Sequence, residues 1–514
     1  MSHSHTSSNS ILISNRLILC DFNINKILPF FIFGCILVII SDVPNNWSVF
    51  FYIARGILAF LLLSTFFLPI RPALILLLML SLAGQDIVFS SGISYTDPGY
   101  STASIWQMNI GPINPGTIIF CCLLWQLLKL KKVMVPSFVK RAIVWFATVP
   151  FITALFYGGF FTENAGIEVI VDLRFGLMLV LSIILLASFL KKKSKNLNKI
   201  LALFIGVLLA RHLIDLIYVI SNIGPAIIPG VTRGSVDSAK GGVIFLIFFG
   251  IGLIWAQRRI FIGMSIVIPS VLLLVAYGTR NLWITFTIGS LLVIIYLGLR
   301  RSISFLMICA FLLVIGIWSL FIINPESAEV IYARSKTITE GRPLDKYIVM
   351  VEYNMISRID PVRYAQIFNV LDSVKNRYAW FWGTGYGGYY DDTVIPFPLY
   401  IENTFPDYSL ETGKFYKTHQ FTTHIFLKHG LIGFLVILSL WLIPGYALYN
   451  IFRTRDMFTK DQPRILNTMM LCIVAFLPTA IFQTYWSSKG LLINGIIIAS
   501  CIEYLRHHSF IKTV

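Results

Sequence analysis

The stretch that decides the fold is EVIVDLRFGLMLVLSIILLASFLKKK, residues 168–193. From Phe175 to Leu190 it carries no charge. With the turn before it, the run reaches the roughly 20 residues that a helix needs to cross a bilayer. Lys191, Lys192 and Lys193 follow at once, and a cation cluster at the end of a span marks the cytoplasmic side. Two charges, Asp172 and Arg174, lie inside the run. On insertion scales an Arg or Asp at the bilayer centre costs about 2.5–3.5 kcal/mol, so each calls for a partner or a role.

The pattern repeats in both directions. The chain has 514 residues, 57% of them hydrophobic and 13% charged, with a mean hydropathy of +0.78; soluble domains carry about 25% charged residues. The apolar runs predict about 14 spans, near 27–42, 48–68, 72–90, 113–129, 141–158, 168–190, 199–221, 241–256, 260–277, 281–299, 302–323, 424–449, 465–485 and 489–505. The formal net charge of +17 gathers in alternate connections, such as Lys129 to Arg141, Lys191 to Lys199, Arg258 with Arg259, Arg300 with Arg301, and Arg453 to Arg464. With both tails that side holds about 23 Lys and Arg, against about 4 in the short connections opposite. The charge is thus a topology signal beside anionic lipid, not a nucleic-acid surface. No small-residue cleavage site follows the polar N-terminus, which reads as a cytoplasmic tail. The seven cysteines form no CxxC pair and read as small apolar residues. The expected fold is an all-α polytopic membrane protein with both termini cytoplasmic. Its expected parts are a tail at 1–26, a transmembrane bundle at 27–323, a large outward loop at 324–423, and C-terminal transmembrane helices with a short tail at 424–514. No internal repeat is evident, which counts against an inverted-repeat transporter.

The loop of roughly 100 residues is far longer than a connection needs, since unstructured loops beyond about 15 residues are usually functional or disordered. Its Arg, Tyr, Trp and Gly content is a poor composition for disorder. Within it, Asp360 to Arg377 reads as a helix, with Asp360 as cap and Pro361 in the first turn. Ala365, Ile367, Phe368, Val370, Leu371 and Val374 give it an apolar face at helical spacing. The turn WFWGTGYGGYY, residues 380–390, follows. The loop closes on Thr418-His419-Gln420-Phe421, before an apolar helix that begins near His424.

Several residues could carry chemistry. Asp172 with Arg174, and Arg211 with Asp215 at i,i+4 spacing, can neutralise one another; they are either buried pairs that fix helix packing or the lining of a polar cavity for a charged ligand. Arg280 stands in the outward hairpin Tyr277-Gly278-Thr279-Arg280-Asn281. It is either a fork for phosphate or a helix-end residue that snorkels to the interface. Arg334, Arg342, Arg358 and Arg363 are further phosphate ligands to consider within the loop. His419, His424 and His429 are spaced by five, so consecutive ones point about 140° apart on a helix and do not form a zinc site. His424 and His429 read as packing residues. His419, at the water boundary, suits a proton acceptor. Gly383 to Gly388 matches a phosphate-cradling loop only weakly, with no Lys after it.

Taken in order, Thr279-Arg280, the large loop, Arg363-Tyr364-Ala365, Gly383-Thr384-Gly385-Tyr386, His419 and Gly430-Leu431-Ile432-Gly433 resemble the O-antigen ligase and O-antigen polymerase family. The family pattern has Ser-Arg-Gly at the hairpin, an Arg-led helix followed by Gly-x-Gly, and His-Asn about 11 residues before Gly-Leu-x-Gly. Here Thr279, Asn281 and Gln420 depart from it, and Lys428 and His429 stand where acidic or neutral residues are more usual. The resemblance covers roughly Gly242 to Leu440. It implies a GT-C-like glycosyltransferase of the bacterial cytoplasmic (inner) membrane, with its active site facing the periplasm. The donor would be a glycan on undecaprenyl diphosphate, and the acceptor a second glycan-lipid or lipid A-core. His419, Arg280 and Arg363 would be catalytic, acting without metal or cofactor. Arg174, Arg211, Arg334, Trp382 and Tyr386 would bind substrate. A polymerase is slightly favoured by the span count and the loop length, with a ligase as the alternative. A transporter or flippase for a lipid-linked solute, and a scaffold subunit working with other polysaccharide assembly proteins, are the rival classes.

Overall fold

The computed structural model describes residues 24–84, 102–108, 115–130, 135–156, 158, 166–190, 195–221, 242–257, 259–277, 280–297, isolated positions between 303 and 318, 361–397, 407–418, 421–453 and 488–507. Among these residues the named elements are all helical. Two isolated antiparallel bridges, Pro44 with Thr102 and Tyr390 with Phe415, are the strand-like pairings.

The first ten helices are α1 (Ile27–Ser41), α2 (Ser48–Phe67), α3 (Ile70–Ala83), α4 (Pro115–Leu128), α5 (Ser137–Phe156), α6 (Gly166–Leu190), α7 (Lys195–Ser221), α8 (Gly242–Gln257), α9 (Ile260–Tyr277) and α10 (Arg280–Leu297). They share a property that water does not permit. In α2 the stripe Phe51, Ala54, Leu58 and Leu62 is buried, while Phe50, Tyr52, Phe60 and Phe67 are exposed. A helix that is apolar on both faces is stable only in a core or in lipid. Ser48–Phe67, Glu168–Leu190 and Lys199–Tyr218 are long and apolar enough to cross a bilayer, and Ile27–Ser41, Ile70–Ala83, Gly116–Leu128, Gly242–Ile254, Ile260–Val275 and Thr285–Tyr296 are shorter apolar helices. Each falls on one of the expected segments. The segments at 302–323 and 465–485 lie largely or wholly outside the described residues.

The bundle core is continuous across these helices. α1 and α3 pack on α7, α8 packs on α9, and α4 packs on α6. At one end of the bundle, Arg211 of α7 is fully buried and donates to Asp42 at 2.7 Å, to Asp215 and to the Ala83 carbonyl at 3.3 Å. Lys489, also fully buried, donates to the neighbouring Gly84 carbonyl at 2.6 Å. The expected i,i+4 pair therefore exists, and a second carboxylate, from Asp42 just after α1, joins it. Arg55 of α2 lies over the Phe51 ring at 4.3 Å and donates to the Gln107 carbonyl.

Three helices carry the rest: α11 (Pro361–Asn376) and α12 (Asp407–Thr412) in the large loop, and α13 (Phe421–Arg453) after it. The final helix, α14 (Ser488–His507), packs on α6 and α13. The sequence predicts one unbroken span from 424 to 449. The structure instead breaks α13 at Gly430, whose φ of 61° and ψ of −160° are non-helical. That region is essentially reserved for glycine. The part beyond the break, 431–453, is about 34 Å long at 1.5 Å per residue, close to the ~30 Å of a bilayer's hydrocarbon. The break therefore falls where such a span would leave the membrane.

The described part of the loop has a core of its own. Val370 and Val374 of α11, Ala379, Tyr390 and Phe415 pack together with Leu427 of α13. α11 matches the expected helix in extent, but its faces differ from the expectation. Ala365, Val370 and Val374 are buried, whereas Ile367 and Phe368 are exposed. The buried face also holds Gln366, Asn369 and Ser373. Asn369 exchanges two 2.9 Å hydrogen bonds with the backbone of Ile395, and Ser373 accepts from the Asp391 amide. These polar groups point inward because the loop backbone needs partners once buried.

Candidate functional site

The loop meets the bundle at the glycine-rich turn. Leading into it, Trp380 and Phe381 lend their carbonyls to the amides of Leu431 (2.8 Å) and Ile432 (3.2 Å), the first residues after the helix break. On the other side of the break, the Leu427 and Lys428 carbonyls accept from the amides of Thr384 (2.7 Å) and Gly385 (3.1 Å). A broken helix leaves unsatisfied N–H and C=O groups at its two new ends; the turn supplies partners for both. Gly383, at φ 72°, makes this possible. A Cβ there would overlap the backbone of Lys428, His429 and Gly430.

The turn is also pinned elsewhere. Gly383 donates to the Ala379 carbonyl, Tyr386 to Ala154 at the end of α5, and Gly388 to Gly385. Gly387 donates to Asp172 Oδ2 of α6 at 2.8 Å. Every amide from Gly383 to Gly388 is thus spent on the protein. A phosphate-cradling loop needs such amides free to face an anion, so in this structure the turn is a joint and not an anion nest.

Asp172 sits at the centre of this joint. Its Oδ2 also takes a 2.7 Å ion pair from Lys428, whose ammonium donates to the Gly388 carbonyl at 2.6 Å. Both side chains are nearly sealed from solvent. His424 approaches the other carboxylate oxygen at 3.9 Å. A cation for Asp172 therefore comes from α13, a connection that counting neighbours along α6 does not reveal. Arg174 donates to Thr117 of α4 at 2.7 Å. Lys428 is the residue that sequence reading registered only as a departure from a pattern; its lysine type at a buried position was the available signal.

Arg363 occupies the first turn of α11 and is half-buried, and Arg280 is the first residue of α10. His419 stands two positions before the start of α13; it lies outside the described residues, as do Arg334 and the Arg280 side chain. Arg174 is buried beside Asp172, at the foot of the joint. Arg211 belongs to the separate cluster with Asp42 and Asp215, where all three of its nitrogens donate to protein oxygens. Trp382 is 44% exposed. Tyr386 is buried, with its ring edge-on to His429 at 5.1 Å. Burial, reinforced by the nearby Asp172 charge, pushes the Tyr386 phenol well above its ordinary range, so it stays protonated. His424 and His429 are both buried, as expected for packing residues.

The stretch that holds this joint also carries a family signature. Residues 265–438 match the family model described as O-antigen ligase. Over that stretch the chain is similar to the O-antigen ligase family. The match covers about a third of the sequence, from within α9 to the middle of α13. Arg280, Arg363, the glycine-rich turn, His419 and the Gly430 break all lie inside it. The comparison with curated proteins gave no match. Among the described residues three helices are long and apolar enough to cross a membrane.

Proposed function

We propose that the chain transfers a glycan from undecaprenyl diphosphate to an acceptor sugar hydroxyl on the periplasmic side of the membrane, with inversion and without a metal. The carrying observation is the physical union of two segments inside the stretch that matches the O-antigen ligase family. The turn that follows the Arg363 helix and the helix that follows His419 share one backbone joint, residues 380–385 against 427–432.

In this reading the diphosphate leaving group gains charge as its bond to the sugar breaks. Arg280 and Arg363 are fixed cations that stabilise that charge without reorganisation. His419 takes the acceptor hydroxyl proton, a contribution of about 10²–10⁴ in rate. Arg174 and Arg334 line the lipid-phosphate path, and Trp382 faces a sugar ring. Arg211 is assigned to packing, since its guanidinium is fully engaged.

A polymerase is the favoured form, on the span count and the length of the loop. The ligase form has its own support, because the matched family is described by that activity. The two share chemistry and differ in acceptor. Purified protein supplied with a lipid-diphosphate glycan, and with either a second glycan-lipid or lipid A-core, separates them. Elongation of the glycan-lipid alone supports the polymerase, and modification of lipid A-core alone supports the ligase. No transfer to either, by protein that moves intact donor across a vesicle membrane, returns the transporter reading.

A further inference from the structure

The geometry points to Asp172 and Lys428 as a positioning pair for the transfer site. The inference rests on the glycosyl-transfer reading above, but it concerns how the site is held and not what it binds. Three parts that would have to act together come from separate pieces of the chain: Arg363 on α11, Arg174 on α6, and His419 just before α13. The Asp172–Lys428 pair joins α6 to α13 at the glycine-rich turn that follows α11.

Asp172 Oδ2 accepts from Lys428 Nζ at 2.7 Å and from the Gly387 amide at 2.8 Å, and Lys428 Nζ reaches the Gly388 carbonyl at 2.6 Å. One carboxylate and one ammonium thus hold adjacent residues of the same turn. Lys428 also sits two residues before the Gly430 break, and its own carbonyl accepts from Gly385. The pair is stationed at the junction of α6, the loop and α13. An apolar contact at this place would be equally compatible with stability, since well-packed hydrophobic residues often replace a buried ion pair without loss. An ion pair differs in being directional. It fixes where the turn sits along α6, two residues from Arg174, and a greasy contact would let it slide. Neither residue needs to touch substrate.

The test uses the full-length protein in lipid, with the lipid-diphosphate glycan donor and the acceptor that the wild type extends. Lys428→Met leaves Asp172 without its ammonium. Its kcat is expected to fall at least tenfold while the KM for donor changes less than threefold. The amides of Gly383 to Gly388 are expected to exchange hydrogen at least tenfold faster, with those of α9 unchanged. The neutral double variant Asp172→Asn with Lys428→Met is expected to recover part of both losses, because interacting partners are not additive. Lys428→Arg, which keeps the charge, should retain protection and at least a third of the turnover.

Unchanged exchange at Gly383 to Gly388 in Lys428→Met overturns the proposal, as does Lys428→Arg failing as badly as Lys428→Met. If Lys428→Met does not fold, the neutral double variant decides. Protein that folds with partial turnover supports the pair, and protein that misfolds equally overturns it. A wild type that transfers no glycan to any acceptor is a different failure: it removes the reaction, while the exchange comparison still shows whether the pair holds the turn.

Discussion

Gly383 and Gly430 lie backbone against backbone. A Cβ built on Gly430 would fall 2.5 Å from the Gly383 nitrogen, and one built on Gly383 would collide with the backbone from Lys428 to Gly430. Both residues also have positive φ. Two short glycine motifs, 47 residues apart in the chain, are therefore one contact, and the helix break exists because the turn fills it.

Gly430→Ala should accordingly be among the most damaging single substitutions in the described chain. Strain in a glycine-only backbone region costs about 1–3 kcal/mol, and forced overlap in a packed site costs about 1–3 kcal/mol more. Thermal unfolding in detergent is expected to show a loss of several degrees or failure to accumulate. Gly445→Ala, farther along α13, meets nothing within 4 Å and should be close to silent. Equal melting of the two variants would count against the joint.

Arg211→Met should destabilise the protein without altering substrate recognition. It strips the charge partner from the buried Asp42 and Asp215, a change that typically costs about 3–5 kcal/mol. In protein that still folds, the KM for donor should match the wild type. A donor KM raised tenfold in folded Arg211→Met protein would return this arginine to the substrate path.

The aromatic turn should report on the lipid headgroup region. Trp380 and Trp382 are 41% and 44% exposed, and the carbonyls of Trp380 and Phe381 are fixed to the head of the 431–453 span, whose Leu431, Leu435 and Leu442 are exposed as well. Trp beside the head of a span is typical of the interfacial belt. Replacing both with Phe should remove much of the fluorescence quenching caused by lipids brominated near the headgroup. Quenching by lipids brominated near the chain ends should hardly change. The opposite pattern would place the turn away from the interface.

Asp391 offers a pH signature in the loop. Burial raises its carboxyl above the ordinary value, an effect only partly offset by Arg377 and Lys414. A carboxyl with a raised folded pKa supports the fold while protonated and loses that support as pH rises through the folded pKa. Asp391→Asn should therefore melt slightly higher than the wild type at neutral pH, and the advantage should vanish as the medium is acidified. The competing loss is the Arg377 pair at 3.8 Å, half in solvent, where such pairs contribute about 0–1 kcal/mol. A variant that melts lower at neutral pH would show that this pair outweighs the burial effect.

Local signals made much of the architecture legible. Apolar runs marked α1 to α10, and Asp360-Pro361 marked the start of α11. The break at Gly430 was not legible, because Gly430-Leu431-Ile432-Gly433 sits in an otherwise helical run and its geometry is imposed by Gly383, a partner brought in by the fold. The same holds for Asp172, whose ammonium comes from Lys428, 256 residues away. The inner face of α11 was misread for a related reason. Counting apolar residues places Ile367 and Phe368 inside, whereas Asn369 and Ser373 are drawn in to satisfy the loop backbone, with Gln366 on the same buried face. The order of Arg280, Arg363 and His419 came from family resemblance, and the stretch that matches the O-antigen ligase family model spans all three.

The central claim is that His419 removes the acceptor proton in a glycosyl transfer. The most direct measurement is single-turnover transfer from a lipid-diphosphate glycan by purified wild type and His419→Ala, at equal protein level and saturating donor. The account predicts transfer by the wild type and a rate lower by about 10²–10⁴ in the variant, the range typical of a lost general base. A His419→Ala protein that transfers glycan at the wild-type rate would contradict it.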